Sequence, residues 1–537
     1  MKDIEILDCT LRDGGRIIDC KFQDNEIIGI GKFLKKSNID IIELGFLRDN
    51  INYSGNSTFF GTVAQANYYA ENIGEGNQRY VLFVDYGLYN IENLEERNNK
   101  RITGIRYGFT KKNYYEHRDE IISEMKMIQK KGYDLYVQTV FTNGYTTTEL
   151  LELISIANEI NPVSFGIIDT YGSMYLDDLD YIWNVVNHNL KKEIAIDFHS
   201  HNNMQMSFAM AQRIIQLSNN ERKIIIDSTI NGMGKCAGNL NTELIIDYLA
   251  RKKNYDYNTD AILDAIDCYI EPYKKDNEWG YSIPSFMAGI YKAHPNNVIF
   301  LTSKYRLQNC DVKYIISSID EENRQRYDYD LVQKLYLEYS STKVNDSGTV
   351  EKLIDKFKGQ TILIMAPGIT IEKYKPVITK YIQDYNPIVI SVNFKPCDFK
   401  IDYIFFSNAI RWEEFKGNKE ESDSEKYILT SNIHTKDDKS LVINYSSLIE
   451  ESSVLPDNST IMLLNLLDQL GVSKIAIAGF DGLDEQQSNY INGTEPIRHI
   501  NMTYKQINEE ISNLFKSFRE RVAMKINIET ITPSKYS

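Results

Sequence analysis

The sequence has few cysteines and no pairing pattern among them. Its six cysteines are scattered over 537 residues without a C-x-x-C pair, which excludes a zinc ribbon and argues against a disulfide framework. No uninterrupted apolar run approaches the roughly 18 residues of a membrane span, and the N-terminus has no apolar signal core. These absences predict a reduced, cytoplasmic protein without a membrane span.

Positive charge is also scarce. Lys and Arg number 60 against 75 Asp and Glu, which gives a formal net charge of −15. This balance argues against nucleic acid or an anionic membrane as a partner, because both require clustered Lys and Arg. A hydrophobic fraction of 42% over this length instead predicts a globular chain of two or three domains. Small molecules are the expected partners, and a homo-oligomer is left open.

Eight short apolar runs recur over the first 235 positions, with helical patterns between most of them. The runs are rich in Ile, Val, Phe and Tyr, as buried parallel strands are. They cover residues 4–10, 39–46, 80–86, 102–109, 134–141, 163–170, 193–199 and 223–230. The count of eight predicts an α/β fold with an N-terminal (β/α)8 TIM barrel at residues 1–300. An open doubly wound sheet is the alternative.

The remaining sequence divides into two further parts. Residues 301–355 are predicted to form a helical extension and linker, and residues 356–537 a smaller Rossmann-like α/β domain. In that domain, residues 366–370 follow a strand and precede a helix, where backbone N–H groups can face a phosphate. A structural or dimerising role is the alternative for this domain.

Two of the seven histidines, His199 and His201, stand two positions apart at the end of the seventh run. Residues i and i+2 of a strand point to the same side, so both imidazoles can reach one ion. Asp13, which follows the first run, can complete a 2-His-1-carboxylate set. This pattern predicts a metal site at the barrel mouth, although a helix cap is the alternative for Asp13.

Other polar residues also cluster at the carboxyl ends of the predicted strands, where barrels of this type bind substrates. Among them, Gln138, Thr170 and Gly234 are predicted to bind substrate. Gly234 belongs to the glycine-rich segment 231–239, which follows the last strand and is suited to an anionic group.

The motifs at residues 8–15 (DCTLRDGG), 199–201 (HSH) and 232–239 (GMGKCAGN), together with Glu43, resemble those of the DRE-TIM metallolyases, the HMGL-like superfamily. This superfamily includes 4-hydroxy-2-oxovalerate aldolase and pyruvate carboxyltransferase domains. The resemblance implies a divalent metal held by Asp13, His199 and His201, with Mn or Mg expected and Zn or Co as alternatives. It also implies that Asn239 is a further or water-mediated ligand.

The chemistry of such enzymes fits these residue types. A C–C bond next to a 2-oxo acid is made or broken through an enolate, which a divalent cation stabilises as a Lewis acid. By the resemblance, Arg12 faces the developing enolate and adds electrostatic stabilisation. Glu43 is expected to orient Arg12, and a purely structural ion pair is the alternative.

The residue that transfers the proton is not evident from the motifs. The aldolase branch has a histidine three residues after its metal aspartate, but this chain has Arg16 there. His294 is the predicted replacement, while Tyr291, a metal-bound water or a structural role for His294 are alternatives. Cys236 lies close to where hydroxymethylglutaryl-CoA lyases carry a catalytic cysteine, although the loop is shorter here.

These residues predict a divalent-metal-dependent aldolase acting on pyruvate, or another 2-oxo acid, and an aldehyde, in surface polysaccharide or sugar-acid metabolism. An acyl-CoA-dependent Claisen synthase or lyase is the first alternative. The second is a non-catalytic barrel that acts as a scaffold for a nucleotide-sugar-binding C-terminal domain.

Overall fold

The computed structural model describes residues 3–98, 100–304, 307, 309–341, 345–417, 426–433, 440–486, 488–491 and 502–536. The chain divides into two compact units, Met1–Pro295 and Asn296–Ser537. The further separation of a 301–355 extension stays a prediction. Among the described residues, no helix combines the length and the apolar character needed to cross a membrane.

The first unit is built on a closed parallel barrel. Its strands are β1 (Ile4–Asp8), β2 (Ile41–Leu47), β3 (Phe59–Phe60), β4 (Arg79–Asp85), β5 (Ile102–Thr110), β6 (Asp134–Val140), β7 (Ser164–Asp169), β8 (Ala195–Ser200) and β9 (Ile224–Ser228). β1 pairs with both β9 and β2, which closes the sheet, while the two-residue β3 pairs only with β2. All eight predicted strands are therefore confirmed, and the barrel replaces the open-sheet alternative.

Helices cover the outside of this barrel. They are α1 (Asp24–Lys36), α2 (Val63–Ile73), α3 (Lys111–Glu116), α4 (Arg118–Lys130), α5 (Thr147–Ile160), α6 (Leu176–Asn189), α7 (Ser207–Ser218), α8 (Thr242–Lys253), α9 (Thr259–Ala265), α10 (Glu271–Asp276) and α11 (Ile283–Ile290). Local signals set their ends. For example, α5 begins with the capping box of Thr146 and Glu149 and ends at Asn161 in the left-handed region.

The strands are buried on both faces because helices lie outside them and side chains fill the interior. Every residue of β1, β2, β7, β8 and β9 is buried. The outward side chains of the strands pack against the helices in the main core. Inward residues such as Leu7, Val81 and Ile225 form a second, smaller apolar cluster. Polar side chains are thereby concentrated at the carboxyl ends of the strands.

The second unit begins with helices and continues as a parallel sheet. Its helices are α12 (Pro295–Lys304, which starts at the last residue of the first unit), α13 (Asn309–Ser318), α14 (Glu321–Arg324), α15 (Tyr329–Ser341), α16 (Ser347–Phe357), α17 (Thr370–Lys373), α18 (Lys375–Tyr385), α19 (Ala409–Gly417), α20 (Ser459–Gln469) and α21 (Tyr504–Val522). Its strands are β10 (Thr361–Met365), β11 (Ile388–Val392), β12 (Tyr403–Phe406), β13 (Lys426–Thr430), β14 (Leu441–Ile443), β15 (Lys474–Ala478) and β16 (Asn527–Thr530).

This sheet has the order β14-β13-β12-β11-β10-β15-β16, and all of its pairs are parallel. The direction of winding reverses between β10 and β15, as it does at the centre of a Rossmann-like fold. The predicted Rossmann-like α/β architecture is therefore confirmed. The sequence pattern did not predict β16, whose residues alternate between exposed and half-buried positions.

Candidate metal centre and active site

The turn after β1 brings Arg12 and Asp13 into the barrel mouth. The backbone N–H groups of Arg12, Asp13 and Gly14 all donate to the carbonyl oxygen of Cys9, at 3.1, 2.8 and 3.2 Å. This tight turn places both charged side chains inside the protein, where Arg12 is 4% and Asp13 5% exposed. Burial of two charges is tolerable because they pair with each other, with Arg12 Nη1 lying 2.6 Å from Asp13 Oδ1.

The two histidines meet Asp13 at the same place. His199 is on β8 and His201 directly follows it, and the ring centroids are 5.1 Å apart. Asp13 Oδ2 lies 4.0 Å from His199 Nε2 and 3.7 Å from His201 Nε2. One ligand atom from each residue lies within 4.8 Å of the other two. The predicted 2-His-1-carboxylate set is therefore assembled in space, with the spacing that one bound cation requires.

Asn239 completes this group of polar atoms. Its Nδ2 donates to Asp13 Oδ2 at 3.0 Å and to the carbonyl oxygen of Met233 at 3.1 Å. Its buried Oδ1 has no hydrogen-bond partner among the described residues. A buried carbonyl oxygen without a donor is costly, and a cation or its bound water satisfies it. The residues present therefore fit a divalent metal ion.

The protonation states of these side chains suit metal binding. Burial lowers the pKa of His199 and His201 to about 4, so both imidazoles are neutral near pH 7. Burial acts to raise the pKa of Asp13, but the nearby charge of Arg12 holds it well below its usual range. All three residues are thus in their ligating forms before any cation binds.

A second group of residues that could hold a metal shares His199 with the first. Cys9, His199 and Asp227 also lie close enough to bind one ion. Burial raises the pKa of the Cys9 thiol well above its ordinary value. Because a thiol must lose its proton to bind a metal, this environment favours the Asp13 set.

Arg12 is held rigidly beside the metal ligands. Its Nε donates to Glu43 Oε2 at 2.6 Å, and its guanidinium carbon lies 4.5 Å from the centroid of the Phe83 ring. No acceptor among the described residues bonds its Nη2, and Arg12 lines the cavity at the barrel mouth. Glu43 is fully buried behind it and does not line the cavity. This geometry fits the predicted orienting role of Glu43.

Beneath the mouth lies a buried ion cluster that sequence patterns did not reveal. Arg106 is its centre, with Nη1 3.2 Å from Glu43 and Nη2 3.0 and 2.6 Å from Asp197 and Asp227. Gln138, predicted to bind substrate, also bonds this Nη2 at 2.9 Å. Arg106 and Asp227 were recognisable only as charged residues within otherwise apolar strands, and no local signal showed that they meet.

The cavity at the mouth has a volume of about 260 Å³. Seven of the ten predicted site residues line it: Arg12, Asp13, Gln138, Thr170, His199, His201 and His294. Glu43, Asn239 and Gly234 do not. Gly234 instead packs on Asn239, because a Cβ added there would lie 2.5 Å from Asn239 Nδ2. It therefore shapes the loop beside Asn239, and its predicted contact with substrate stays a prediction.

Of the two side chains considered for proton transfer, His294 lines this cavity and Tyr291 does not. His294 is half-buried, and burial lowers its pKa to about 4, so its imidazole is neutral near pH 7 but only weakly basic. Cys236 lines the cavity too, but burial raises its pKa to about 11, which disfavours a reactive thiolate. Arg16 lies 3.4 Å from Asp13 and 3.6 Å from Asp85 and carries its charge at the cavity wall.

In the second unit, a carboxylate occupies the place predicted for a phosphate. The N–H of Thr370 donates to Asp481 Oδ2 at 2.8 Å, and the hydroxyl of Thr370 bonds the other carboxylate oxygen. Asp481 thus caps the four-residue helix α17. A cavity of about 80 Å³ lies beyond it at the ends of β10 and β15, and none of the described residues that line it is Lys or Arg. These observations argue against an anion site at 366–370.

Comparison with known proteins found one matching family model and several similar proteins. Residues 105–268 match the HMGL-like family model. The chain is 22% identical over 274 residues to 2-isopropylmalate synthase of Staphylococcus carnosus, covering 49% of this chain and 52% of that protein. It is 26% identical over 125 residues to 4-hydroxy-2-oxovalerate aldolase 2 of Comamonas testosteroni, covering 23% of this chain and 35% of that protein. The chain thus spans about half the length of the synthases it matches, and less of the aldolase.

A solved structure, the HMG-CoA lyase of Brucella melitensis, aligns with a TM-score of 0.42 at 14% identity, over 51% of this chain and all of that one. Arg106, His199, His201 and Asn239 fall within the matched range 105–268, whereas Arg12 and Asp13 precede it. The family-model match identifies residues 105–268, within the barrel unit, as an HMGL-like domain of the DRE-TIM metallolyase superfamily.

Proposed function

We propose that this protein is a divalent-metal-dependent aldolase that makes or breaks the C–C bond between pyruvate, or a related 2-oxo acid, and an aldehyde. The observation that carries the proposal is the convergence of Asp13, His199 and His201 beside Arg12 at one cavity. Each of these groups has a role in enolate chemistry, and they come from opposite ends of the barrel sequence.

The charge of the site supports a cation of charge two. Four carboxylates (Asp13, Glu43, Asp197 and Asp227) and two guanidinium groups (Arg12 and Arg106) are buried together. With neutral imidazoles and ionised carboxylates, four negative and two positive charges leave a net charge of −2. A divalent cation balances this charge. The family resemblance implies Mn or Mg, and Zn and Co are alternatives because imidazole ligands suit softer metals.

The protein side chains have separable roles in the proposed reaction. A divalent cation, when bound, lowers the free energy of the enolate as a Lewis acid. Arg12, fixed by Glu43 and Asp13, directs its remaining N–H groups into the cavity, where the developing oxyanion lies. His294 accepts or returns a proton as a neutral base, and Gln138 and Thr170 hold the substrate at the cavity wall.

The test is exchange of the methyl protons of pyruvate with deuterium, followed by NMR with the full-length protein and Mn²⁺. Enolate formation predicts exchange that requires both the metal and His201. His201→Ala should reduce it at least about 100-fold, because a ligand is lost. The matched control is His188→Ala, which removes an exposed histidine of α6. Exchange that persists unchanged in His201→Ala would exclude this site.

An acyl-CoA-dependent condensation or cleavage is the second candidate, because the relatives aligned over half of this chain are synthases. A Claisen synthase releases free CoA thiol because the thioester is hydrolysed during condensation, whereas a lyase retains the thioester in a shorter acyl-CoA. An aldolase forms or consumes an aldehyde with no CoA species involved. A thiol-reactive dye, applied while a panel of 2-oxo acids, aldehydes and acyl-CoA esters is screened by mass spectrometry, distinguishes the two. A barrel that serves only as a scaffold shows neither signal and no exchange.

A further inference from the structure

Asp227 lies on β9 directly behind His199, on the side away from the cavity. Its Oδ2 is 2.9 Å from His199 Nδ1, and its side chain is 1% exposed. The other ring nitrogen, Nε2, faces Asp13 at 4.0 Å. The imidazole is therefore held between a carboxylate on Nδ1 and the predicted metal position on Nε2.

This contact determines which nitrogen carries the proton. A carboxylate can only accept, so Nδ1 must be the protonated nitrogen, and the lone pair of the neutral ring is left on Nε2. His201 differs from His199, because no carboxylate is paired with its Nδ1 among the described residues and its side chain is 17% exposed. The buried imidazole is thus the one whose tautomer the protein selects.

We propose that Asp227 is a positioning residue for the metal site, which orients His199 and selects the tautomer that ligates the cation. This inference rests on the proposed function, because it requires that His199 binds a metal. A metal-ligating histidine that donates its other N–H to a carboxylate is a better ligand, since its orientation is fixed and its basicity is raised.

Arg106 holds Asp227 in turn and links it to the other half of the site. Arg106 Nη2 lies 2.6 Å from Asp227, while its Nη1 lies 3.2 Å from Glu43, which bonds Arg12 at 2.6 Å. A continuous chain of buried ion pairs thus runs from His199 to Arg12. Through these ion pairs, the fully buried guanidinium of Arg106 helps to fix the positions of both His199 and Arg12.

A second aspartate in the same cluster provides a control. It distinguishes an effect on the orientation of His199 from an effect of buried charge alone. Asp197 Oδ2 accepts from Arg106 at 3.0 Å and from Gln138 at 2.7 Å, and it is as buried as Asp227. Among the described residues, its hydrogen bonds to Arg106 and Gln138 leave both histidines untouched. Replacement of either aspartate by asparagine removes one buried negative charge from the cluster, but only the change at 227 alters the contact with His199.

The experiment measures Mn²⁺ affinity of the full-length metal-free protein, without substrate, from the EPR signal of unbound Mn²⁺. We expect Asp227→Asn to weaken binding about 10- to 100-fold, because its amide can also donate to Nδ1 and stabilise the wrong tautomer. Asp197→Asn should change the affinity by less than about 3-fold. Circular dichroism confirms that each variant is folded, and Asp227→Ser replaces Asp227→Asn if the latter is not.

Two results would overturn this inference. If both aspartate variants weaken Mn²⁺ binding equally, the effect is that of charge and not of His199. If neither weakens it, the contact is structural only. If the proposed function is wrong, the result is different: the wild-type protein itself binds none of Mn²⁺, Mg²⁺, Zn²⁺ or Co²⁺. In that case Asp227 has no metal ligand to position, and the inference is also refuted.

Discussion

At the residue scale, Arg12 is the side chain whose shape matters most to the proposed chemistry. Two of its nitrogens are occupied by Glu43 and Asp13, and the side chain lines the cavity. A lysine has one nitrogen and cannot bond both carboxylates and the oxyanion in this geometry. We therefore expect Arg12→Lys to slow pyruvate proton exchange about 100-fold, as loss of one oxyanion donor does.

The measurement is the NMR exchange rate, with Mn²⁺ affinity determined in parallel. Affinity should stay within about 3-fold of wild type, because the ligands are untouched. Arg213→Lys, on the exposed part of α7, is the matched control. A large loss of Mn²⁺ binding in Arg12→Lys would contradict the separation of roles proposed for Arg12 and Asp13.

His294 is the predicted proton-transfer residue, and its contribution is separable from metal binding. We expect His294→Asn to lower the exchange rate about 10- to 100-fold, since general acid–base catalysis contributes about 10²- to 10⁴-fold. Mn²⁺ affinity should be unchanged. His117→Asn, in an exposed position between α3 and α4, is the control. An exchange rate equal to that of wild type would shift the role to another group.

Acid affects the metal site only at low pH if burial keeps the imidazoles neutral. Protons compete with the metal below the imidazole pKa, which burial lowers to about 4 for His199 and His201. Mn²⁺ affinity should therefore change less than about 3-fold between pH 7 and pH 5. Two ordinary imidazoles, with pKa values near 6.5, would lose about 1,000-fold over this range. Titration of the metal-free protein at both pH values distinguishes the two outcomes.

At the scale of elements, the loop after β9 holds Asn239 in place through unusual backbone conformations. Asn231, Gly232, Cys236 and Gly238 all have positive φ angles. At Gly238 a Cβ would lie 1.9 Å from the carbonyl oxygen of Gly232, so only glycine fits this close approach. The glycine-rich motif therefore has a structural cause in the folding of the loop onto itself.

Gly238→Ala should consequently distort the loop and displace Asn239. We expect a lower melting temperature and at least about 10-fold weaker Mn²⁺ binding, because clash and strain act beside a ligand. Gly348→Ala is the control, since a Cβ there meets no atom within 4 Å. The thermal midpoint and the EPR titration together test this prediction, and wild-type values for both would refute it.

Another feature at this scale is the end of β15. Asp481 follows this strand and caps α17, which begins just after β10, so the reversal point of the second sheet is closed by a side chain of the protein itself. The sequence alone suggested an exposed phosphate loop there. The correction arises because residues 111 positions apart, Thr370 and Asp481, meet only when β10 and β15 pair.

At the scale of the whole molecule, the proposed cation contributes to stability, because it binds a folded site whose buried charges need it. A ligand at about 100 times its Kd stabilises the native state by about 2.7 kcal/mol. Calorimetry of the full-length protein should therefore show a transition that rises by several degrees when Mn²⁺ is added. In His201→Ala this shift should largely disappear, and an equal shift in both proteins would indicate non-specific binding.

The negative net charge of the molecule and the charge of its site have to be considered separately. The chain carries a formal charge of −15, yet Arg12, Arg16 and Lys235 line the cavity. A bound dication adds to these groups, so an anionic 2-oxo acid meets a locally favourable field. The overall composition therefore argues against nucleic acid or an anionic membrane as a partner but does not describe the active site.

Much of this protein was determined by its sequence alone. The recurrence and the residue content of the apolar runs located all eight barrel strands, because buried parallel strands are continuous apolar segments. The spacing of His199 and His201 placed both rings on one side of β8, since side-chain direction within a strand is local. The motif around Asp13 then indicated the third ligand, and the structure brings it within 4.0 Å of both imidazoles.

Only the tertiary structure decided what lies beneath and around those ligands. Arg106 and Asp227 are 121 positions apart, and closure of the barrel alone places them in contact. The same closure places Glu43 and Asn239 outside the lining of the cavity. In the second unit, the pairing of β10 with β15 brings Asp481 against Thr370. Local patterns report which way a side chain points along its own strand. They do not report which side chain of another strand it meets, because that depends on how the whole sheet curves and closes.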